Sequence, residues 1–229
     1  QMCPDVSGGP PGAGPLPSPQ QLALQRAELT AYLHFGLATF DPTTAPPASA
    51  FNPTSLDAKE WVSELKSAGF RQAVLVAKHE NGFCLWPTAT TDYSVKSSPW
   101  KNGQGDVVKE FTEAARAAGL RAGLYLSPVD HHFPSSSAGY ESYLRSQMTE
   151  LLSNYGPIFE LKFPGNDAPT AVDWAGIAQL AHELQPDTLV WIGPEIATTG
   201  SDSRYAGPRG TRTTSSVADV PNGGPQDVW

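Results

Sequence analysis

Charged residues are scarce in this sequence of 229 residues, where they make up 17%, below the usual quarter. The basic sign is the scarcer one, with 15 lysines and arginines against 23 aspartates and glutamates, which gives a net charge of −8. This balance argues against nucleic acid or an anionic membrane surface as a partner. Long apolar runs are missing too, since none approaches the about 18 residues of a membrane span. We therefore expect no membrane-spanning segment.

Cysteine is nearly absent. Cys3 and Cys84 are the two in the chain, so a single disulfide could form, and it would tether the N-terminal tail; the sequence does not decide whether it does. No Asn-x-Ser/Thr glycosylation acceptor exists, because Pro53 interrupts the candidate at residues 52–54. The chain begins with Gln1 instead of Met. We therefore expect a removed secretory signal and an extracellular or secretory-pathway location, although an arbitrary boundary would look the same.

Proline and glycine are concentrated at the N-terminus, where they make up half of the first 20 residues. Such a composition predicts an irregular arm without a core of its own. We therefore divide the chain into an arm at residues 1–19 and a main domain at residues 20–229.

Strand and helix patterns alternate along the main domain. Apolar runs predict strands at residues 32–35, 73–77, 122–126, 158–163 and 188–192. Capping residues and helical periodicity predict intervening helices, at residues 20–29, from Asp57 to Gly69, at 107–118, at 140–154, and from Thr170 with Asp173 at its third position. This alternation is typical of an α/β fold with a mainly parallel sheet.

The segment KHENGFCLW at residues 78–86 follows the second predicted strand. A basic residue, an imidazole, a carboxylate and an amide therefore emerge together at a strand end, followed by the aromatic side chains of Phe83 and Trp86. Polar groups beside aromatic rings at strand ends are how α/β barrels build ligand pockets. The alternative is a structural turn with a paired Lys78 and a hydrogen-bonded His79, and the residues alone leave both interpretations open.

This segment, together with TDYSVKSSPW at residues 91–100, resembles the α-L-fucosidases of glycoside hydrolase family 29, especially the plant and bacterial type. Further blocks agree in order: QRAE at 25–28, YLHFG at 32–36, GDVV at 105–108, GLYLSP at 123–128, QMTELL at 147–152 and NYG at 154–156. The resemblance covers residues 15–190 and implies a (β/α) barrel that hydrolyses α-L-fucosides with retention of configuration.

The family's barrel continues beyond the end of this sequence, and a closed eightfold barrel takes about 250 residues. With five predicted strands, we expect a partial or trimmed (β/α) TIM-type barrel, incomplete at the C-terminus. The open edges of such a sheet need cover. A second chain or another protein partner that completes the barrel would supply it.

The resemblance also indicates that the nucleophilic Asp of the family is missing from this sequence. Retaining glycosidases use two carboxyl groups about 5–5.5 Å apart, and in this family the nucleophile is an Asp at the end of the fourth strand. The matching position here is Pro164, which cannot attack an anomeric carbon. Glu80 also replaces the second of two adjacent family histidines, and Asn81 replaces an Asp. The positions that still match sugar-contacting or pocket residues of the family, and so form the expected substrate-binding set, are His34, His79, Trp86, Tyr125 and Asp130.

Three interpretations follow. We expect a degenerate relative that binds a fucosylated or related glycan or serves a structural role, with little or no hydrolysis and no cofactor. The first alternative is an active hydrolase with rewired carboxylates from Asp167, Glu80 or Glu195, which in an inverting pair would stand about 6.5–9.5 Å apart. The second is a metal-dependent hydrolase. Its ligands would come from His34, His79, Glu80, Asp130, His131 and His132, although no spacing defines this set and we expect no metal.

Overall fold

A computed structural model of the protein describes residues 18–43, 45–164, 169 and 171–192. The strands are β1 (Thr30–Leu33), β2 (Gln72–Lys78), β3 (Arg121–Leu126), β4 (Glu160–Phe163) and β5 (Leu189–Ile192). The α-helices are α1 (Pro19–Ala27), α2 (Ala58–Ser67), α3 (Val107–Ala118), α4 (Tyr140–Asn154) and α5 (Trp174–Leu184). Most of the predicted arm lies outside the described residues, so the division after residue 19 stays a prediction. None of the described helices combines the length and apolar character that crossing a membrane requires.

The five strands form one sheet in the order β1-β2-β3-β4-β5, and every neighbouring pair is parallel. A helix follows each of β1, β2, β3 and β4 in the chain before the next strand begins. The predicted α/β fold with a parallel sheet is thereby confirmed.

Capping side chains set the helix boundaries. Asp57 accepts hydrogen bonds from two backbone N–H groups at the start of α2, and Asp106 accepts one from the backbone N–H of Lys109 at the start of α3. Gly119, in the left-handed conformation at φ 75°, ends α3 where the sequence predicted it. The predicted start of α5 at Thr170 is wrong. Asp173 is the N-cap and accepts from the backbone N–H of Gly176 at 3.0 Å, so the helix begins at Trp174.

The first strand also differs from its prediction, because it covers Thr30–Leu33 instead of residues 32–35. Thr30 pairs in register with Gln72, and Leu33 pairs with Leu75. His34 therefore lies just past the end of β1.

The two faces of the sheet differ in chemistry. The row Leu33, Leu75, Leu124, Leu161 and Val190 runs across all five strands and packs in the main apolar core with the helices. The opposite face is mixed: Tyr32 of β1 and Glu160 and Lys162 of β4 are polar, whereas β2 contributes Val74 and Val76. This alternation follows from the two-residue period of a strand.

Contacts on this mixed face show that the sheet is strongly curved. The Tyr32 hydroxyl on β1 donates to Glu160 Oε1 on β4 at 3.2 Å, and Lys162 Nζ lies 4.7 Å from the centre of the Tyr32 ring. In a flat sheet these strands would be three spacings of about 4.8 Å apart. The side chains meet because the sheet bends as a barrel wall does. Gly123 lies on this concave face, where a Cβ would be 2.9 Å from Val74 Cγ2.

Helix α1 packs at the N-terminal ends of the strands. The Arg121 guanidinium, at the start of β3, donates to the Ala23 carbonyl at 2.8 Å. Leu24 of α1 lines a cavity of about 20 Å³ together with Thr30, Tyr32, Glu160, Lys162 and Trp191. With this end covered, the carboxyl ends of the strands are the edge at which a ligand can approach.

Candidate functional site

Three polar rings gather at the carboxyl ends of neighbouring strands, and we call them the ring cluster: His34, His79 and Tyr125. The ring centres are 6.0 Å apart for His34 and His79, 5.8 Å for His34 and Tyr125, and 6.2 Å for His79 and Tyr125. Each residue lies at or just past the end of β1, β2 or β3, and these ends meet at one edge because the strands are parallel. His34 is exposed and Tyr125 is buried, so the cluster reaches from solvent into the fold.

The turn that carries His79 is fixed by Gly82. Its backbone N–H donates to the His79 carbonyl at 3.0 Å, and its φ of 86° lies in the left-handed region. A side chain is also excluded by space, because a Cβ here would collide with Asp130 Oδ1 and lie 2.8 Å from the Cβ of His132. The turn and the loop after β3 are thus in direct contact.

A buried ion pair lies behind this contact. Lys78 Nζ is 2.8 Å from Asp130 Oδ2, and both side chains have 0% exposure. Tyr143 donates its hydroxyl to the same oxygen at 3.1 Å, while the backbone N–H groups of His132 and Phe133 donate to Oδ1 at 2.9 and 2.8 Å. These four donors match the acceptor capacity of a carboxylate. Asp130 therefore lies behind the site and holds the loop in place.

Trp86 is also placed away from the ring cluster. It is 1% exposed within the main core, and its indole N–H donates to Glu150 Oε2 on α4 at 2.7 Å. Of the five expected substrate-binding residues, the structure brings His34, His79 and Tyr125 together at the mouth. It places Trp86 and Asp130 inside the fold.

Pro164 directly follows β4 and is half-buried at the same edge of the sheet. Of the candidate carboxylates, Glu80 is exposed on the turn after His79, and its backbone carbonyl accepts from the His131 N–H at 2.8 Å. Asp167 and Glu195 lie outside the described residues. The rewired carboxylates thus stay a prediction.

The metal interpretation finds no support in the described part of the chain, where no group of three or more His, Cys, Asp or Glu side chains is arranged to hold a metal ion. Two of its proposed ligands, His131 and His132, are exposed. The His132 ring instead stacks on Tyr93 with centres 4.3 Å apart. This contact was missed from the sequence, although Tyr93 lies in the TDYSVKSSPW motif and His132 was named as a possible metal ligand.

Cys84 is a free, fully buried thiol. Burial raises the pKa of this thiol well above its usual value. The Gln147 side-chain amide donates to its sulfur at 3.4 Å. Cys3, its proposed disulfide partner, lies outside the described residues.

Comparison with known proteins gives a consistent result. Residues 27–201 match the family model described as alpha-L-fucosidase. Alpha-L-fucosidase 1 of Arabidopsis thaliana is 43% identical over 205 residues, a match that covers 84% of this chain and 40% of that protein. A putative alpha-L-fucosidase 1 of Oryza sativa is 42% identical over 208 residues, with 84% and 40% covered. The chain thus spans about two fifths of the length of these curated relatives.

Solved structures agree. A glycoside hydrolase 29 family member from a rumen bacterium superposes with a TM-score of 0.74 at 40% identity, over 78% of this chain and 36% of that one. A putative alpha-L-fucosidase from Bacteroides ovatus gives a TM-score of 0.71 at 46% identity, over 77% of this chain and 32% of that one. The curved five-stranded sheet is therefore part of a TIM-type (β/α) barrel.

Proposed function

The chain belongs to the α-L-fucosidase family, glycoside hydrolase family 29, and from this premise we propose that it recognises α-L-fucosyl groups of glycans but hydrolyses them little or not at all. The observation that carries the proposal is Pro164 at the carboxyl end of β4, a position that the sequence resemblance matches to the nucleophilic carboxylate of the family. An extracellular or secretory location and a second chain completing the barrel stay predictions.

The ring cluster supports the recognition half of the proposal. His34, His79 and Tyr125 lie with ring centres about 6 Å apart at the open edge of the sheet. Imidazole nitrogens and a phenol can both donate and accept hydrogen bonds, as sugar hydroxyls do. Flat rings with a few convergent polar groups are typical of small-molecule sites.

The chemistry at Pro164 supports the proposed lack of hydrolysis. A retaining glycosidase forms a covalent glycosyl intermediate on a carboxylate, and a second carboxyl group protonates the leaving oxygen. The ring nitrogen of Pro164 is an amide nitrogen without a hydrogen, and its lone pair is delocalised into the carbonyl group, so the side chain can neither attack nor transfer a proton. A pocket with the sugar-facing rings but without the nucleophile would bind a fucoside and leave its glycosidic bond intact.

The test compares release of the aryl group from a chromogenic α-L-fucoside by the native protein, Pro164→Asp and the matched control Pro164→Asn. Binding of L-fucose is measured in parallel by calorimetry. We expect fucose binding but no release by the native chain, a gain of release in Pro164→Asp, and none in Pro164→Asn, because asparagine has the shape of aspartate but no nucleophilic oxygen.

Two results would contradict the proposal. Absence of fucose binding by the native protein would remove the recognition half. Turnover by the native protein would contradict the proposed lack of hydrolysis. Loss of that turnover in Glu80→Gln, or in amide variants of Asp167 or Glu195, would then identify rewired carboxylates.

A further inference from the structure

Two Asn-Gly pairs lie in the described part of the chain, at residues 81–82 and 102–103. A third pair, at residues 222–223, lies outside it. An asparagine followed by glycine is chemically labile, because glycine has no side chain to keep its backbone nitrogen away from the asparagine amide. The structure gives the two described pairs different surroundings.

The first pair is fixed within a packed turn. The Asn81 side-chain oxygen accepts from the Phe83 backbone N–H at 3.0 Å, and the Gly82 N–H donates to the His79 carbonyl at 3.0 Å. Gly82 is buried, and a Cβ on it would collide with Asp130 Oδ1. The side-chain carbonyl and the glycine nitrogen, which would have to react with each other, are therefore both engaged in hydrogen bonds.

The second pair is exposed, and its backbone is strained. Lys101 and Asn102 have φ values of 48° and 55°, and Gly103 follows at 73°. The left-handed region is unfavourable for residues with a side chain and is seldom adopted by successive residues. Asn102 is exposed, and Gly103 is half-buried. Rotation of Asn102 out of the left-handed region would therefore release strain.

The contacts that retain this strained turn lie at the surface. The Asn102 N–H donates to the Pro99 carbonyl at 3.0 Å, and the Gln104 N–H donates to the Lys101 carbonyl at 3.1 Å. The Lys101 ammonium forms an ion pair with Glu110, and their side chains are 48% and 30% exposed. Exposed ion pairs contribute little stability. Local opening of this turn is therefore easier than opening of the packed one.

We propose that Asn102 is a site of spontaneous deamidation and isomerisation. The Gly103 nitrogen attacks Cγ of Asn102, so that a bond forms between these two atoms and the bond from Cγ to Nδ2 breaks. Ammonia leaves with the proton of the attacking N–H group. Water then opens the cyclic imide at one of its two carbonyl groups. Opening at one of them yields aspartate, and opening at the other yields isoaspartate, in which the backbone runs through the former side chain.

Isoaspartate at position 102 would lengthen the backbone shortly before α3. Gly103 has little room to move, because even a Cβ on it would lie 2.6 Å from the Lys96 carbonyl oxygen. The neighbouring Trp100 is 4% exposed, and its ring packs edge-on against Phe51 with centres 5.6 Å apart. A shift of this segment would disturb that core contact. We therefore expect the isomerised protein to be less stable.

The test is incubation of the native protein at mildly alkaline pH, followed by peptide mass spectrometry and labelling of the peptides with an isoaspartyl methyltransferase. We expect conversion of Asn102 to be at least about tenfold faster than conversion of Asn81, because local opening costs little in exposed turns and approaches the full unfolding free energy in packed segments. In urea-unfolded protein the two rates should become similar, since both asparagines then precede a glycine in an open chain.

Asn102→Gly is the matched control, because glycine tolerates the left-handed backbone and lacks the amide. Aged native protein should unfold at a lower temperature than fresh protein, and aged Asn102→Gly should not show this loss. Equal conversion of the two sites in the folded protein would overturn the proposal, as would an Asn102 that reacts only in urea. Conversion of Asn102 without a loss of thermal stability would overturn the expected effect on Trp100.

Discussion

Single residues determine the stability of the loops at the carboxyl ends of the strands, and the ion pair of Lys78 and Asp130 is the main example. Both side chains are fully buried, and the Asp130 carboxylate receives four hydrogen-bond donors. A buried ion pair adds little stability over an apolar pair of equal volume, but removing one partner leaves an uncompensated charge inside the protein. Substitution of either Lys78 or Asp130 alone should therefore destabilise the loop after β3.

We predict that Lys78→Met lowers the free energy of unfolding by about 3–5 kcal/mol, the usual cost of stranding a buried charge. The double variant Lys78→Met with Asp130→Asn should lose less than the single one, because the amide is neutral and its oxygen can still accept from the His132 and Phe133 N–H groups. Urea denaturation of the three proteins measures this. A double variant less stable than Lys78→Met would contradict a charge-based explanation.

The sequence predicted part of the site at this scale. His34, His79 and Tyr125 were expected together because the family resemblance matches them to pocket positions, and each lies in or near the last part of a predicted strand. The burial of Asp130 and Trp86 could not be predicted, since their partners Lys78 and Glu150 lie 52 and 64 positions away in the chain. Local patterns carry no information on such distant contacts.

At the scale of elements, helix ends followed local signals except where a distant contact intervened. Helix α3 has the predicted bounds because Asp106 and Gly119 are strong terminal signals. For helix α5 the sequence predicted a start at Thr170, with Asp173 at the third position. Asp173 is the N-cap, and its backbone N–H donates to Glu141 Oε2 on α4 at 3.0 Å. This contact with another helix accompanies the later start and could not be derived from residues 170–173.

The N-cap of α3 leads to a pH-dependent prediction. Burial raises the pKa of the Asp106 carboxyl, although the carboxyl accepts hydrogen bonds from the Lys109 N–H and the Tyr155 hydroxyl. A raised pKa means that the folded state binds more protons than the unfolded state between the two pKa values. This carboxyl therefore favours folding more as the pH falls through that window, and the advantage is lost as the pH rises through the folded pKa.

We predict that the unfolding free energy of the native protein, relative to that of Asp106→Asn, increases as the pH is lowered from neutral towards about 4, the usual pKa of Asp. Urea denaturation of both proteins at several pH values gives this difference. The matched control is Asp57→Asn at the exposed N-cap of α2, where solvent reaches the carboxylate. If the difference in unfolding free energy between the native protein and Asp106→Asn became smaller towards acidic pH, the prediction would be wrong.

At the scale of the whole molecule, curvature is what turns an ordinary parallel sheet into part of a barrel. The alternation of strands and helices predicted the five strands and their parallel arrangement. It could not predict the bend of the sheet, because the bend brings together residues that are far apart in the sequence. Tyr32 of β1, for example, reaches Glu160 of β4 across the concave face. The sequence resemblance, not the periodicity, supplied the barrel.

We predict that Gly123→Ala lowers the free energy of unfolding by about 1–3 kcal/mol, the cost of overpacking a filled interior. The added methyl group would lie 2.9 Å from Val74 Cγ2 and 3.1 Å from the backbone oxygen of Glu160. Gly36→Ala is the matched control. Gly36 has an extended backbone and nothing within 4 Å of its Cβ position. Equal stability of the two variants in thermal or urea unfolding would show that the concave face tolerates added volume.

The order of strands in the sheet also bears on how the chain emerges from the ribosome. Each of the described strands from β2 to β5 pairs with the one synthesised just before it, so none of these four pairings has to wait for a later part of the polypeptide. Translation adds about 5–20 residues per second, whereas hydrophobic collapse of a chain of about 100 residues takes at most about 10–100 μs. We therefore expect the growing barrel wall to assemble vectorially, one strand after another, with each completed strand serving as the template for the next.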